Sequence, residues 1–238
     1  MPTLLVFGAR NLGKALASDF VARGWNVAAV ARSEETIAVL GEEVPDALGV
    51  VADATEPEEV ERAFAAAQRQ LGALDLVVNA ITARPRGARI GGGELAAADP
   101  DAIEPYVAEF LPAVWHVLRV GARVLAEQGR GTFVQLTGGS ARRGNPGRGP
   151  WTAAAFATRA LVQSAAGELR ERGVHVALLI VDATIESPKT AQLLAGQPPE
   201  ASASMDDVVA AVAYLAGQSR RGWTHELQLT PALERWVP

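Results

Sequence analysis

The sequence predicts a single α/β domain built on a doubly wound, parallel, seven-stranded sheet. Apolar stretches of strand length alternate with longer helical patterns, the signature of repeated βαβ units. Several of the stretches, notably Val176 to Val181, are apolar at every position, as strands covered on both faces must be. A length of 238 residues suits one such domain spanning the whole chain, 1–238.

Taken in order, Thr3–Phe7 is a strand that runs into Gly8 and then into an amphipathic helix. Asn26–Ala31 is the second strand and closes on Arg32-Ser33. Leu48–Ala52 is the third, followed by Asp53 and by Thr55 with Glu58, spaced as a capping box. Leu74–Asn79, Gly131–Thr137, Val174–Val181 and Glu226–Leu229 complete the set. Gly24, Gly72, Gly129, Gly173 and Gly217 stand where helices stop, and Ser204 with Asp207 starts the last helix. Three irregular stretches, 82–100, 138–150 and 182–203, follow strand ends on the side where open α/β sheets bind ligands.

Composition narrows the function classes. Hydrophobic residues at 49% and charged residues at 21% suit a soluble protein, and no apolar run approaches the roughly 18 residues of a membrane span. Met1 to Phe7 lacks a basic n-region and reads as a strand rather than a signal peptide, which points to the cytoplasm. Without cysteine, and with three scattered histidines, no metal-ligand spacing exists. A net charge of −5 without Lys/Arg clusters argues against nucleic acid, leaving small molecules as expected partners.

The first strand, glycine turn and helix carry the clearest motif, Gly8-Ala-Arg10-Asn11-Leu12-Gly13. Glycines let the backbone approach a pyrophosphate, and the helix N-terminus offers free N–H groups and a positive dipole end. A tight strand-to-helix turn with no ligand fits the same glycines. Arg32-Ser33 closes the second strand where a dinucleotide ribose would lie, and an arginine there can pair with a 2′-phosphate, with Arg10 as a second contact. Asp53 admits two roles, acceptor for an adenine amino group or cap for the next helix.

The order and spacing of these pieces resemble the short-chain dehydrogenase/reductase family over nearly the whole chain, which implies a Rossmann fold. Val51-Ala-Asp53-Ala54-Thr55 is similar to the family's adenine-pocket segment. Leu74 to Ile81 is similar to its Asn-Asn-Ala-Gly segment, with Asn79 and Ala80 retained and Ile81 following. Leu161 to Leu169, with Gly173-Val-His-Val176, matches its sixth helix and strand. By that resemblance, basic residues at Arg10 and Arg32 imply NADP(H) over NAD(H), Thr184 or Ser187 replaces the threonine that meets the carboxamide, and Ile185 joins Thr184 among the cofactor-binding positions. The helices over 110–128 and 151–172 match those of the family's dimer interface and imply a homodimer or homotetramer. One departure is the glycine turn, which is a residue shorter and puts Asn11 near the middle glycine's place.

A larger departure lies at the chemical end. The family uses a tyrosine acid/base, a lysine that lowers its pKa, a serine that polarises the substrate oxygen and an asparagine that supports a water relay. A phenol with a pKa of about 10 is a poor base at neutral pH unless an ammonium shifts it down. Registering the flanking segments puts Trp151 at the tyrosine's place, Ala155 at the lysine's, Gly138 at the serine's and Phe110 at the asparagine's. Thr137, Ser140 and Asp182 are the nearby substitutes. The expectation is an NADP(H)-linked oxidoreductase with an altered active site, acting on a small organic, apolar or aromatic substrate. A non-redox catalyst or a catalytically silent cofactor-binding subunit is the alternative.

Other candidates have two readings. His116 lies about 120° around its helix from Phe110 and reads as a core or interface histidine. His175 and His225 neighbour no nucleophile. Glu186, like Asp182, is a general base if desolvated and a solvated loop carboxylate otherwise. Arg84, Arg86 and Arg89, and likewise Arg142, Arg143 and Arg148, either clamp an anionic substrate or simply sit in basic loops.

Overall fold

Strands that are apolar at every position need cover on both faces, and the sheet receives it. The computed structural model describes residues 1–82 and 91–234. Its strands are β1 (Thr3–Phe7), β2 (Asn26–Ala31), β3 (Ala47–Val51), β4 (Leu76–Asn79), β5 (Gly131–Gly138), β6 (Val174–Val181) and β7 (Glu226–Leu229). All are parallel and stand in the order β3-β2-β1-β4-β5-β6-β7. Helices α1 (Leu12–Ala22), α2 (Glu34–Glu43) and α3 (Pro57–Leu71) follow the first three strands. The later ones are α4 (Leu111–Gln128), α5 (Gly149–Leu169), α6 (Ala191–Leu194) and α7 (Met205–Ala216).

Alternation along each strand divides the core in two. Leu5, Phe7, Val77, Phe133 and Ile180 pack against α3, α4 and α5. Leu4, Val6, Val78, Val134 and Leu179 pack against α1, α2 and α7. This is the single-domain Rossmann fold the sequence predicts. Because every strand is parallel, Gly8, Arg32, Asp53, Ala80 and Asp182 follow strand ends, and Gly138 ends β5, all on one edge. The order reverses at β1, between β2 and β4, where such sheets open a ligand crevice.

Four local expectations need correction. β3 lies one residue earlier than 48–52, although the Ala52 N–H still donates to Ala31. β4 starts at Leu76 because the Leu74 backbone is held at both its N–H and its carbonyl by the Gln128 side chain instead of by a strand. β5 continues to Gly138, paired with Val181. The capping box at Thr55 does not form: the Thr55 N–H and hydroxyl both donate to Asp53 Oδ1, and α3 starts from Glu56. The Ser204 cap does form, accepting from the Asp207 N–H at 3.0 Å.

Candidate functional site

The glycine turn brings backbone against backbone. Gly8 has φ 98°, and a β-carbon on it would stand 3.1 Å from the Ala80 carbonyl carbon. A β-carbon on Gly13 would lie 2.0 Å from the Gly8 carbonyl oxygen, so no larger residue fits there. Asn11, with φ 40° and ψ −103°, is the only positive-φ residue other than glycine among those described. It occupies the strained position that a middle glycine would take without cost. The shortened turn keeps its donors: the N–H groups of Arg10, Asn11, Leu12 and Lys14 have no acceptor among the described residues. Arg10 and Arg32 are exposed with no ion pair there. Ser33, by contrast, caps α2, its hydroxyl accepting from the Thr36 N–H.

Most polar atoms of the Asp53 turn have partners. Its N–H donates to Glu59, its carbonyl accepts from the Glu56 N–H, and Oδ1 accepts from Thr55. The Ala54 carbonyl accepts from His116 Nδ1 at 3.1 Å. The Ala54 N–H and Asp53 Oδ2 are left over, one donor beside one acceptor. Asp53 does not cap α3, whose N-cap is Glu56 without a side-chain bond: Oδ1 shapes the turn before the helix, and Oδ2 stays available. Asn79 is fully buried, donating to Gln135 and accepting from the Ile81 N–H, which fixes the chain as it leaves β4 through Ala80.

At the chemical end, three of the four residues singled out from the sequence lie together at an aromatic cluster. Phe110 closes a π-helical turn, Pro105–Phe110, that leads into α4, and its ring centroid is 5.3 Å from that of Trp151 on the first turn of α5. Trp151 Cζ2 lies 4.0 Å from where a β-carbon on Gly138 would be. Ala155 is fully buried one turn further along α5. Sequence reasoning missed Tyr106, whose ring lies 6.0 Å from Trp151 and whose buried hydroxyl accepts from the Gly91 N–H. The signal was there in its spacing, four residues before Phe110 on the same side of the turn. A hollow of about 440 Å³ is lined by Leu95, Pro100, Ile103 and Pro150 among others, the last adjoining Trp151 in sequence, and none of the clustered aromatic residues lines it.

The substitutes differ in availability. The Thr137 hydroxyl is buried without a partner, on the same strand face as Phe133 and therefore toward α4 and α5. Ser140 accepts from Asn145 Nδ2 at 3.2 Å. Asp182 is 7% exposed, with Arg143 Nη1 at 3.4 Å and Gln228 Nε2 at 3.4 Å from its carboxylate. Burial pushes its carboxyl up, Arg143 opposes the rise and Glu234 adds to it. Burial alone would also raise Glu226, but hydrogen bonds from Arg159 and Gln163 outweigh that and hold it low.

Of the basic loops, Arg142 pairs with Glu226 and Arg143 with Asp182 and Glu234, while Arg148 is exposed at the start of α5. Arg84, Arg86 and Arg89 lie outside the described residues. Thr184 and Ile185 leave β6 in a parallel bridge to Ala203, and Glu186 accepts from the Ser202 hydroxyl. His175 is buried, stacked on Trp223 with centroids 5.2 Å apart. No helix among the described residues is long and apolar enough to cross a membrane.

A sequence profile of the family described as short chain dehydrogenase matches residues 2–195. The chain belongs to that family of oxidoreductases. This short-chain dehydrogenase is 27% identical over 232 residues to the 3-oxoacyl-[acyl-carrier-protein] reductase FabG of Staphylococcus aureus, covering 91% of each chain. A short-chain dehydrogenase structure from Rhodopseudomonas palustris is 25% identical with a TM-score of 0.78, over 97% of this chain and 98% of that one. The actinorhodin polyketide ketoreductase, solved with NADPH, is similar in fold, with a TM-score of 0.83 at 21% identity over 99% and 98% of the two chains.

Proposed function

We propose that this short-chain dehydrogenase is an NADP(H)-linked oxidoreductase acting on a small apolar or aromatic organic substrate, with proton delivery unlike that of its family. The observation that carries the reading is the set of N–H groups of Arg10, Asn11, Leu12 and Lys14 that have no acceptor among the described residues, beside the guanidiniums of Arg10 and Arg32, which have no ion pair there. Such donors at a helix N-terminus suit a pyrophosphate, and the two arginines suit a 2′-phosphate. The Ala54 N–H and Asp53 Oδ2 match the ring-nitrogen acceptor and amino donor on the edge of adenine. When bound, the nicotinamide supplies or takes the hydride.

The protein's own part is to hold the reactants and exclude water. Thr184 and Ile185 lie at the edge where the carboxamide would be met. Trp151, Phe110 and Tyr106 form an apolar wall. Of the substitutes, the Thr137 hydroxyl has no partner, and the Ser140 hydroxyl, which only accepts from Asn145, keeps its own proton to donate to a substrate oxygen. Water is the other source of the proton. Outward-facing Trp115 on α4 and Phe156 on α5, 47% and 42% exposed, support a homodimer or homotetramer through those helices.

The alternative, a non-redox catalyst or catalytically silent cofactor-binding subunit, draws on the joint loss of acid, base and donor at Trp151, Ala155 and Gly138. Calorimetry with NADPH and NADH tests the cofactor reading. NADPH is expected to bind more tightly, and Arg32→Ala to remove most of the preference, on the order of 1–3 kcal/mol. Equal affinities overturn it. Consumption of NADPH with candidate carbonyls then separates the redox reading from the silent one.

A further inference from the structure

We propose that His116 is a positioning residue for the purine end of the cofactor, and that discrimination for adenine depends on its bond to the Ala54 carbonyl. The proposal rests on the cofactor reading above. A carbonyl oxygen can only accept, so at 3.1 Å from it Nδ1 carries the proton, and Nδ1–H donates.

The bond matters because of where it falls in the turn. The carbonyl of Ala54 and the N–H of Thr55 belong to one peptide plane. His116 holds the carbonyl end of that plane, and Asp53 Oδ1 holds the N–H end. A rotation of the plane would release Thr55 from Oδ1 and let the Asp53 carboxylate turn. It would also move the neighbouring Ala54 N–H, in a segment whose other hydrogen bonds are all local, from Asp53 to Glu59. His116 is therefore the tertiary anchor, reaching from α4 across 62 residues of sequence.

Its footing is firm. On the same side of α4, Arg119 and Arg123 both pair with Glu61 of α3, fixing the two helices against each other one and two turns further on. Ala54 is 7% exposed, so little water reaches its free N–H, and a ligand acceptor is its natural partner. A base with a ring nitrogen acceptor beside an amino donor satisfies both leftover atoms. Hypoxanthine, which carries N–H and carbonyl at those two places, opposes both.

The test measures affinities of the whole protein for NADPH, for its hypoxanthine analogue and for reduced nicotinamide mononucleotide, which lacks the base. The native protein is expected to prefer NADPH over the hypoxanthine analogue. His116→Phe keeps an aromatic ring and removes the donor. It should weaken NADPH about five- to tenfold, the scale of one net hydrogen bond, with a much smaller change for the hypoxanthine analogue. The mononucleotide affinity should hold, the melting temperature should fall by no more than one lost hydrogen bond accounts for, and His116→Asn should restore part of the preference. Nitrogen-15 NMR of the cofactor-free protein should show the Nδ1–H tautomer, which reads the bond independently of any ligand. A preference for NADPH that His116→Phe leaves intact, or an equal loss for all three ligands, overturns this proposal alone. A native protein that binds neither dinucleotide overturns the cofactor reading, and this proposal with it.

Discussion

The indole of Trp151 reaches across to Gly138, its ζ2 carbon 4.0 Å from the place a β-carbon would take. Gly138 has an extended backbone, φ −104° and ψ 175°, that any residue adopts, so nothing in the main chain demands glycine there. What stands nearest that β-carbon position is the Val181 carbonyl oxygen at 3.8 Å and then the tryptophan.

Gly139 is the opposite case, and the pair gives a stability prediction. A β-carbon on Gly139 would lie 1.7 Å from Asp182 Oδ1, a buried carboxylate held by Arg143 and Gln228. Gly138→Ser should therefore leave the melting temperature nearly unchanged. Gly139→Ala should cost about 1–3 kcal/mol, the scale of overpacking, and Asp182→Ala in the same chain should recover part of it. Thermal unfolding of the three variants decides it, and an unaffected Gly139→Ala would mean the carboxylate lies elsewhere.

The glycine turn holds a second reserve of stability. Asn11 bears φ 40° with ψ −103°, outside the left-handed well that asparagine tolerates, at a cost on the order of 1–3 kcal/mol. Glycine is free of that strain but loses about 0.5–1 kcal/mol of unfolded-state entropy. Asn11→Gly should thus raise stability by about 1 kcal/mol, read as a higher urea midpoint with an unchanged slope. A lower midpoint would show that the Asn11 side chain holds the turn.

How far the sequence reaches is visible in these same residues. β1, β2, β6 and β7 fall on the expected residues because apolar runs and glycine stops act locally. The reach of β4 did not follow the same rule, since a distant side chain, Gln128, takes over the Leu74 backbone. Spacing singled out Phe110, Gly138 and Trp151, whereas their mutual packing and the entry of Tyr106 depend on a π-helical turn that no local pattern announces. Likewise the Thr55–Glu58 spacing suggested a cap, but the Asp53 carboxylate competes for the same Thr55 donors and wins.

A pH effect follows from His175. Burial lowers its pKa, the Thr224 carbonyl contact works against that and nearby His225 adds to the lowering. Its folded-state pKa is thus below the unfolded value of about 6.5, and the unfolded chain binds the proton first. Stability rises with pH where the unfolded state holds more protons, so it should fall as pH drops below about 6.5. His175→Phe should flatten that part of the profile, which urea unfolding across the range would record. Asp182 carries the opposite sign, because a raised carboxyl pKa means the folded state keeps its proton longer, and it acts lower in the pH range. An identical slope in His175→Phe would assign the acid sensitivity to another group.

The last prediction concerns the chemistry itself: saturated with NADPH, the protein should reduce simple ketones barely above background. General acid catalysis by a positioned phenol contributes roughly 10²–10⁴-fold, and an indole N–H cannot supply it at Trp151. Ala155, fully buried, offers no ammonium to tune a proton donor. Gly138 removes a second donor to the developing alkoxide, and donors of that kind are worth about 3–4 kcal/mol each. These losses fall on one transition state and need not add, yet the buried Thr137 hydroxyl replaces only one of them. The measurement is NADPH consumption with a panel of simple carbonyls, alongside NADPH affinity so that failure to bind is told apart from failure to react. Trp151→Tyr combined with Ala155→Lys and Gly138→Ser restores the family's groups, and Trp151→Tyr alone guards against a triple variant that does not fold with a buried lysine. Bound cofactor with negligible native turnover, rising in either variant, is the expected result. Brisk reduction by the native protein would falsify the assignment, because it would require a proton donor in the pocket stronger than Thr137 or water.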